Sequence, residues 1–161
     1  MRNLFILTML GGLLAACAAA PPVPGQPLAD VLARYGRPTA SYTIGADTEL
    51  EYATGPWGQQ TYMARFGPDQ RLLSYRQVLD SKTFGQVQLG VSTKQDILQL
   101  IGHPAETSYL PRQKLEVWSY RYKEANVWNS MMHVHFDQAG VVRMMLGGPD
   151  ECMEQYSWLL C

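Results

Sequence analysis

Two stretches of the chain carry apolar residues at helical spacing, and each is followed by runs in which apolar and polar positions alternate. In the first, Leu28-Ala-Asp-Val31-Leu32-Ala-Arg-Tyr35-Gly36-Arg-Pro38, the residues Val31, Leu32 and Tyr35 share one helical face. In the second, Lys94-Gln-Asp-Ile97-Leu98-Gln-Leu-Ile101-Gly102-His-Pro104, the matching stripe is Ile97, Leu98 and Ile101. Each stops at a glycine suited to the left-handed position that ends a helix, with proline two residues later. Ser92, three residues before Gln95, predicts a capping box at the start of the second helix. Alternation then predicts strands over 49–53, 60–66 and 72–79 in the first half and over 115–122, 129–136 and 141–146 in the second. The helical positions correspond at an offset of 66. The closing hairpins, Phe66-Gly-Pro-Asp-Gln-Arg-Leu72 and Phe136-Asp-Gln-Ala-Gly-Val-Val142, correspond at 70, so one middle loop is longer in the second half. The pattern predicts an α+β fold, a tandem duplication of a helix plus a three-stranded antiparallel sheet. The first unit covers 28–80 and the second 81–148, with a tail over 149–161.

Ahead of the first unit, residues 4–16 (LFILTMLGGLLAA) carry no charge and follow Arg2. That run is short of the about 20 residues needed to cross a bilayer core. A basic start, a short apolar middle and small residues at the end predict a signal peptide over 1–16. Leu14-Ala15-Ala16-Cys17 resembles the lipobox of bacterial lipoproteins. The resemblance implies cleavage before Cys17, a diacylglyceryl group on its thiol and an acyl chain on the new amine. At about 0.8 kcal/mol per buried methylene, two or three chains make that membrane anchor effectively permanent. Ala18 in the next position implies delivery to the outer membrane, facing the periplasm. The residues after the lipidated cysteine, to position 27 (AAAPPVPGQP), read as a proline-rich tether. At roughly 3 Å per residue it would hold the folded part about 30 Å from the lipid, with folding starting near Pro27.

Hydrophobic residues make up 47% of the chain, enough for a packed core. Of the 13 lysines and arginines, Arg2 leaves with the leader, so 12 basic side chains remain beside 14 acidic ones. That balance argues against nucleic acid as a partner and against electrostatic docking on anionic lipid. Export places Cys152 and Cys161 where disulfides persist. On one continuous helix they would stand about 13 Å apart, beyond the roughly 7 Å limit between bridged Cα atoms. A bridged, bent C-terminal loop is therefore the expectation.

Phe84 to Leu146, with Gly90-Val-Ser-Thr, Ile97-Leu98, Gly102-His-Pro104, Trp118-Ser-Tyr120 and Phe136-Asp-Gln-Ala-Gly140-Val, resembles the BamE (SmpA/OmlA) lipoprotein family. The resemblance implies an outer-membrane lipoprotein with helices packed on a three-stranded antiparallel sheet. It also implies the β-barrel assembly machinery as a partner. Doubling of the unit resembles the plan of the β-lactamase inhibitor protein, whose repeats form a concave aromatic surface that grips an enzyme.

No G-x-S-x-G, Cys-His, zinc-protease, P-loop or dinucleotide signature is present, and the chain is expected to be non-catalytic. The pairs Glu49 with Glu51 and Asp150 with Glu151 read as solvated charges, and His103 as a loop residue. His133 and His135 point to one strand face, with Met131 beside them and Met144 and Met145 on the next strand; such donors suit copper. Because Met132, Val134 and Phe136 form the opposite, core-like face, the two histidines are expected to be half-exposed. No cofactor is expected beyond lipid on Cys17. Trp118, Tyr120 and Tyr122 make an aromatic stripe read as core or inter-unit packing, with Trp118 and Tyr120 as alternative partner contacts. Trp57 in Gly55-Pro-Trp-Gly58 and Trp128 near the matching loop of the second unit are expected protein-binding residues. The function expected is a protein-binding envelope module in outer-membrane protein assembly or envelope maintenance. The alternatives are an inhibitor-like binder of a periplasmic enzyme, a copper-binding lipoprotein, and a module that grips peptidoglycan or lipid.

Overall fold

Ile97 and Ile101 are fully buried, while Leu98, one position round the same helix, packs both against their cluster and against a separate group of residues. That helix lies between two sheets. The computed structural model describes residues 20–153; the leader, Cys17 and Cys161 lie outside them. The elements run α1 (Leu28–Tyr35), β1 (Ala40–Ile44), β2 (Asp47–Ala53), β3 (Thr61–Phe66), β4 (Leu72–Gln77), α2 (Ser81–Phe84), α3 (Lys94–Leu100), β5 (Glu106–Leu110), β6 (Leu115–Glu124), β7 (Trp128–Phe136) and β8 (Val142–Pro149). A 3-10 turn over Glu151–Met153 follows. Strands β1-β2-β3-β4 form one antiparallel meander and β5-β6-β7-β8 another.

The expected α+β class with three-stranded sheets is overturned. The protein is mostly β, with two four-stranded antiparallel sheets and helices of only 8, 4 and 7 residues. The strands that alternation failed to signal, β1 and β5, are both sheet edges. An edge strand pairs on one side only, and β5 is exposed along nearly its whole length, so its sequence has no buried face to mark. The capping box also sits one residue later than expected. Thr93, not Ser92, caps α3, its hydroxyl accepting from Asp96 N–H while the Asp96 carboxylate accepts from Thr93 N–H at 2.8 Å.

The proline-rich segment is shorter as a tether than its composition suggests. Gly25 N–H donates to the Leu72 carbonyl and Leu72 N–H to the Gln26 carbonyl, both at 2.8 Å, so the chain already pairs with the edge of β4 before α1 begins. The same arrangement recurs on β8, where Gly90 N–H donates to Val142 O at 2.7 Å and Val142 N–H to Ser92 O at 2.9 Å. Both sheets also shift register at the same place, between Arg65 and Phe66 and between His135 and Phe136.

On one face of the first sheet, Leu50, Ala64, Phe66 and Leu72 meet Val31 of α1. On the other face Tyr42, Met63 and Val78 meet Leu98 of α3. The second sheet lays Trp118, Tyr120, Tyr122, Val134 and Phe136 over Ile97 and Ile101 of α3 and over Phe84 of α2. No helix among the described residues is long and apolar enough to cross a membrane.

Candidate functional site

Asp80 accepts a hydrogen bond from Thr83 N–H at 2.7 Å and so starts the single turn of α2. That turn drives Phe84 onto Tyr122, ring centroids 5.0 Å apart at 72°. Beside this contact lies a cavity of about 660 Å³, lined by Phe84, Tyr122, Trp128, Met132, Met145 and Gly147 among others. Its size falls within the range of pockets that take small ligands or peptide side chains. Trp128 stands at its rim with 68% of its surface exposed, the largest exposure among the big apolar side chains of the described residues. Burial and the neighbouring Glu124 carboxylate raise the Tyr122 phenol above its usual pKa of 10.0, so it faces the groove as a neutral hydroxyl.

Trp57 also remains exposed, at 57%, but sits elsewhere. Its loop is closed by Thr54, whose hydroxyl donates to the Gln60 carbonyl at 2.7 Å, and leaves no room at Gly58: a Cβ there would lie 1.9 Å from Thr54 Oγ1. The loop reaches across to the second sheet. Gln59 Nε2 donates to Asn129 Oδ1 at 2.9 Å, and the Arg121 guanidinium lies 4.7 Å from the Trp57 ring centroid. Arg121 and Trp128 belong to opposite faces by strand alternation. The two tryptophans therefore mark opposite faces of one end of the second sheet and form no common patch.

Several expectations need correction. Trp118 and Tyr120 are 8% and 1% exposed, so neither offers a partner any appreciable surface. Trp118 is fixed by its indole N–H to Glu116 at 2.7 Å, with Lys94 over its ring, and Tyr120 Oη donates to the Gly102 carbonyl at 3.1 Å. His135 is buried rather than half-exposed, and its Nδ1 has no hydrogen-bond partner among the described residues. His133 is half-buried, with Nδ1 2.8 Å from Ser119 Oγ. Met131 shares their face, its sulfur accepting from Arg121 at 3.6 Å. Among the described residues no group of three or more His, Cys, Asp or Glu side chains is arranged around a metal site. Asp150 is buried and takes both oxygens to the Arg121 guanidinium, at 3.2 and 3.1 Å. Cys152 is disulfide-bonded, and its partner lies outside the described residues, as do Cys17 and Cys161.

Glu49 and Glu51 are the largest departure from the sequence reading, because both are buried on the face of β2 that meets the second unit. Glu49 accepts from Arg76 at 3.1 Å. Glu51 accepts from Tyr42 Oη at 2.5 Å and from the His103 backbone N–H at 3.0 Å, with His103 Nδ1 2.9 Å away. Burial first, then the hydrogen bond to Glu51, raises the Tyr42 phenol far above its usual range. His103 follows Gly102, whose φ of 90° takes the chain out of α3; a Cβ at Gly102 would lie 2.8 Å from Glu51 Cδ. The helix-ending turn of the second unit is thus clasped by a carboxylate of the first. Sequence offered no signal for this beyond the glycine itself.

A scan against protein-family models gives no match, and a comparison with curated proteins gives none either. Among solved structures the chain is similar to a DUF4309 family protein (YjgB) from Bacillus subtilis. The identity is 15% and the TM-score 0.34, with 76% of this chain and 77% of that chain covered. A likeness at that level assigns no function.

Proposed function

We propose that the chain is a non-catalytic envelope lipoprotein, anchored through Cys17 to the periplasmic face of the outer membrane, that binds another envelope protein through the Trp128 groove. The observation that carries the reading is a largely exposed tryptophan at the rim of a mostly apolar cavity of about 660 Å³. A tryptophan in that position has no packing role to explain it, and tryptophan is prominent among residues that dominate protein interfaces. Anchoring strengthens such a module by confining it, since a tether raises the effective concentration of the binding surface near membrane partners. Gly25 is already fixed to the first sheet, so seven residues separate it from Cys17 and the module would work close to the lipid. The resemblance to the BamE family makes the β-barrel assembly machinery the first partner to seek.

The test is crosslinking in living cells followed by recovery of the tagged full-length chain from membranes. Partner recovery that falls with Trp128→Ala, in a variant that still folds, supports the reading. Equal recovery with and without Trp128, or recovery of cell-wall material alone, removes it. Cys17→Ser supplies the localisation arm: it should abolish radiolabelled palmitate incorporation and release the chain from the membrane fraction.

A further inference from the structure

The two units can be compared position by position, because the strand pairs match at an offset of 70. Tyr62 pairs with Gln77 in the first unit and Met132 with Gly147 in the second; Ala64 pairs with Tyr75, and Val134 with Met145. In the first unit this corner is filled. Tyr62 and Tyr75 stack at 5.1 Å, Tyr35 closes on Tyr75 at 5.8 Å, and the Gln77 amide turns back to the Leu79 carbonyl. In the second unit the counterparts Met132, Met145 and Gly147 border the open groove instead. Nothing in the local backbone requires glycine at 147. A Cβ there would make ordinary contacts, 3.5 Å from Met132 Cε and 3.9 Å from Tyr122 Oη. Its effect is to leave the wall of the groove low.

That wall is also the edge of the sheet. Among the described strands, β8 pairs with β7 alone. The stretch Gly90–Ser92 pairs with the outer edge at Val142 and then departs, and among the described residues no backbone group bonds the outer edge from Arg143 to Pro149. This leaves about 20 Å of edge at roughly 3.3 Å per residue. Asp150 N–H donates inward to the Asn129 carbonyl at 3.0 Å. The alternation of antiparallel pairing therefore turns the backbone N–H and C=O of Met145 and Gly147 outward. Pro149 falls in the same outward phase, where its missing N–H costs the ladder nothing.

We propose, resting on the binding-module reading, that the occupant of the groove is an extended apolar segment of a partner protein, added to β8 as a fifth strand. The outward amides of Met145 and Gly147 demand an extended backbone, since strand addition is how an open sheet edge satisfies such groups. The apolar wall of Phe84, Tyr122, Trp128 and Met132 demands large apolar side chains at alternate positions of that strand. Gly90–Ser92 already shows this edge taking an extended chain, and the new strand continues where that pairing stops.

The test uses the full-length chain in lipid nanodiscs and a fluorescent nine-residue peptide in which Val and Phe alternate with Thr. Two further copies are N-methylated on alternate residues, one in each phase. Strand addition predicts saturable binding of the parent peptide. It predicts loss of about tenfold or more for one methylated phase and little change for the other, since only one row of amides faces β8. Gly147→Pro, which removes an outward N–H, and Gly147→Gln, which restores the first unit's side chain, should each weaken binding by a similar factor while the fold persists. Equal affinity for both methylated phases, or no binding of the parent peptide, overturns strand addition. Concentration-dependent dimers that Gly147→Pro dissolves also overturn it, by placing a second copy on the edge. None of these results touches the in-cell dependence on Trp128, so failure of the binding-module reading remains separately visible.

Discussion

Replacing Glu51 by alanine removes the acceptor that joins the two units. Glu51 is fully buried, and it takes the Tyr42 hydroxyl and the His103 backbone N–H into one carboxylate. Alanine leaves both donors inside the protein without their partner. Each orphaned donor costs about 1–3 kcal/mol, and breaking a buried charged contact from one side costs about 3–5 kcal/mol in total. Tyr42 Oη lies 3.3 Å from His103 Nδ1 and keeps that contact, which pulls the total toward the lower end. The expected loss is therefore about 3–4 kcal/mol. Glu51→Gln keeps the volume and one carbonyl oxygen and should cost less, about 1–2 kcal/mol. Urea unfolding followed by circular dichroism at pH 7 measures both, against a total of about 5–15 kcal/mol for a domain of this kind. Because the clasp spans the two units, Glu51→Ala should also lower the slope of the transition or split it in two. A loss below about 1 kcal/mol with an unchanged slope would refute the clasp, since it would mean the buried donors find equivalent partners.

Thr93→Ala removes the capping hydroxyl of α3 and should cost about 1 kcal/mol by the same measurement, leaving binding unchanged. Gly58→Ala cannot be accommodated without moving Thr54, so it should shift the Trp57 loop, read as a change in tryptophan emission together with a lower urea midpoint. Burial first, and then the neighbouring His135, lowers the pKa of His133 below its usual 6.5. The unfolded chain then binds the proton first, so this contribution is complete above pH 6.5 and is lost as the pH falls through the lowered native value. His133→Gln should flatten that part of the stability profile between pH 7 and 5; an unaltered slope would assign it to another group. Trp128→Ala should change stability by no more than about 0.5 kcal/mol, because its side chain lies mostly in solvent.

What the sequence made legible were features written in local order. The Gly-x-Pro ends of α1 and α3, the stripe of Ile97 and Ile101, and the hairpins after Phe66 and Phe136 each repeat a short pattern that backbone chemistry dictates. The fourth strand of each sheet was not legible, because β1 and β5 are short edges. The buried carboxylates were hidden for a different reason. Glu49-Leu50-Glu51 alternates like a strand with one wet face, yet β2 is interior to its sheet and covered on both sides. The partners that make such burial tolerable, Arg76 and His103, are distant in sequence and joined only by the fold. The same holds for Asp150 and Arg121. Trp128 was singled out for lying near a loop and in fact begins β7, but the groove beside it depends on Phe84, brought in by a helix of one turn.

The likeness between the units separates what folding requires from what it does not. Both sheets keep the same strand order, the same register shift and the same lead-in pairing on the last strand, so those features serve the fold. At one corner they diverge. The first unit packs Tyr35, Tyr52, Tyr62 and Tyr75 together, and burial followed by the neighbouring phenols pushes the Tyr75 hydroxyl up to about 12. The second unit answers with Met132, Met145 and Gly147, flexible or absent side chains that leave the corner open. Filling that corner would bury more apolar surface, and the first unit demonstrates that the same backbone accepts the filling. An exposed apolar groove and an open edge are both hazards for aggregation. Beyond the lead-in pairing, both sheets leave the outer edge of their last strand without a backbone partner among the described residues, so the groove, kept in the second unit and filled in the first, is the reason to place binding at the second sheet, and it makes Gly147 the position whose substitution separates folding from function.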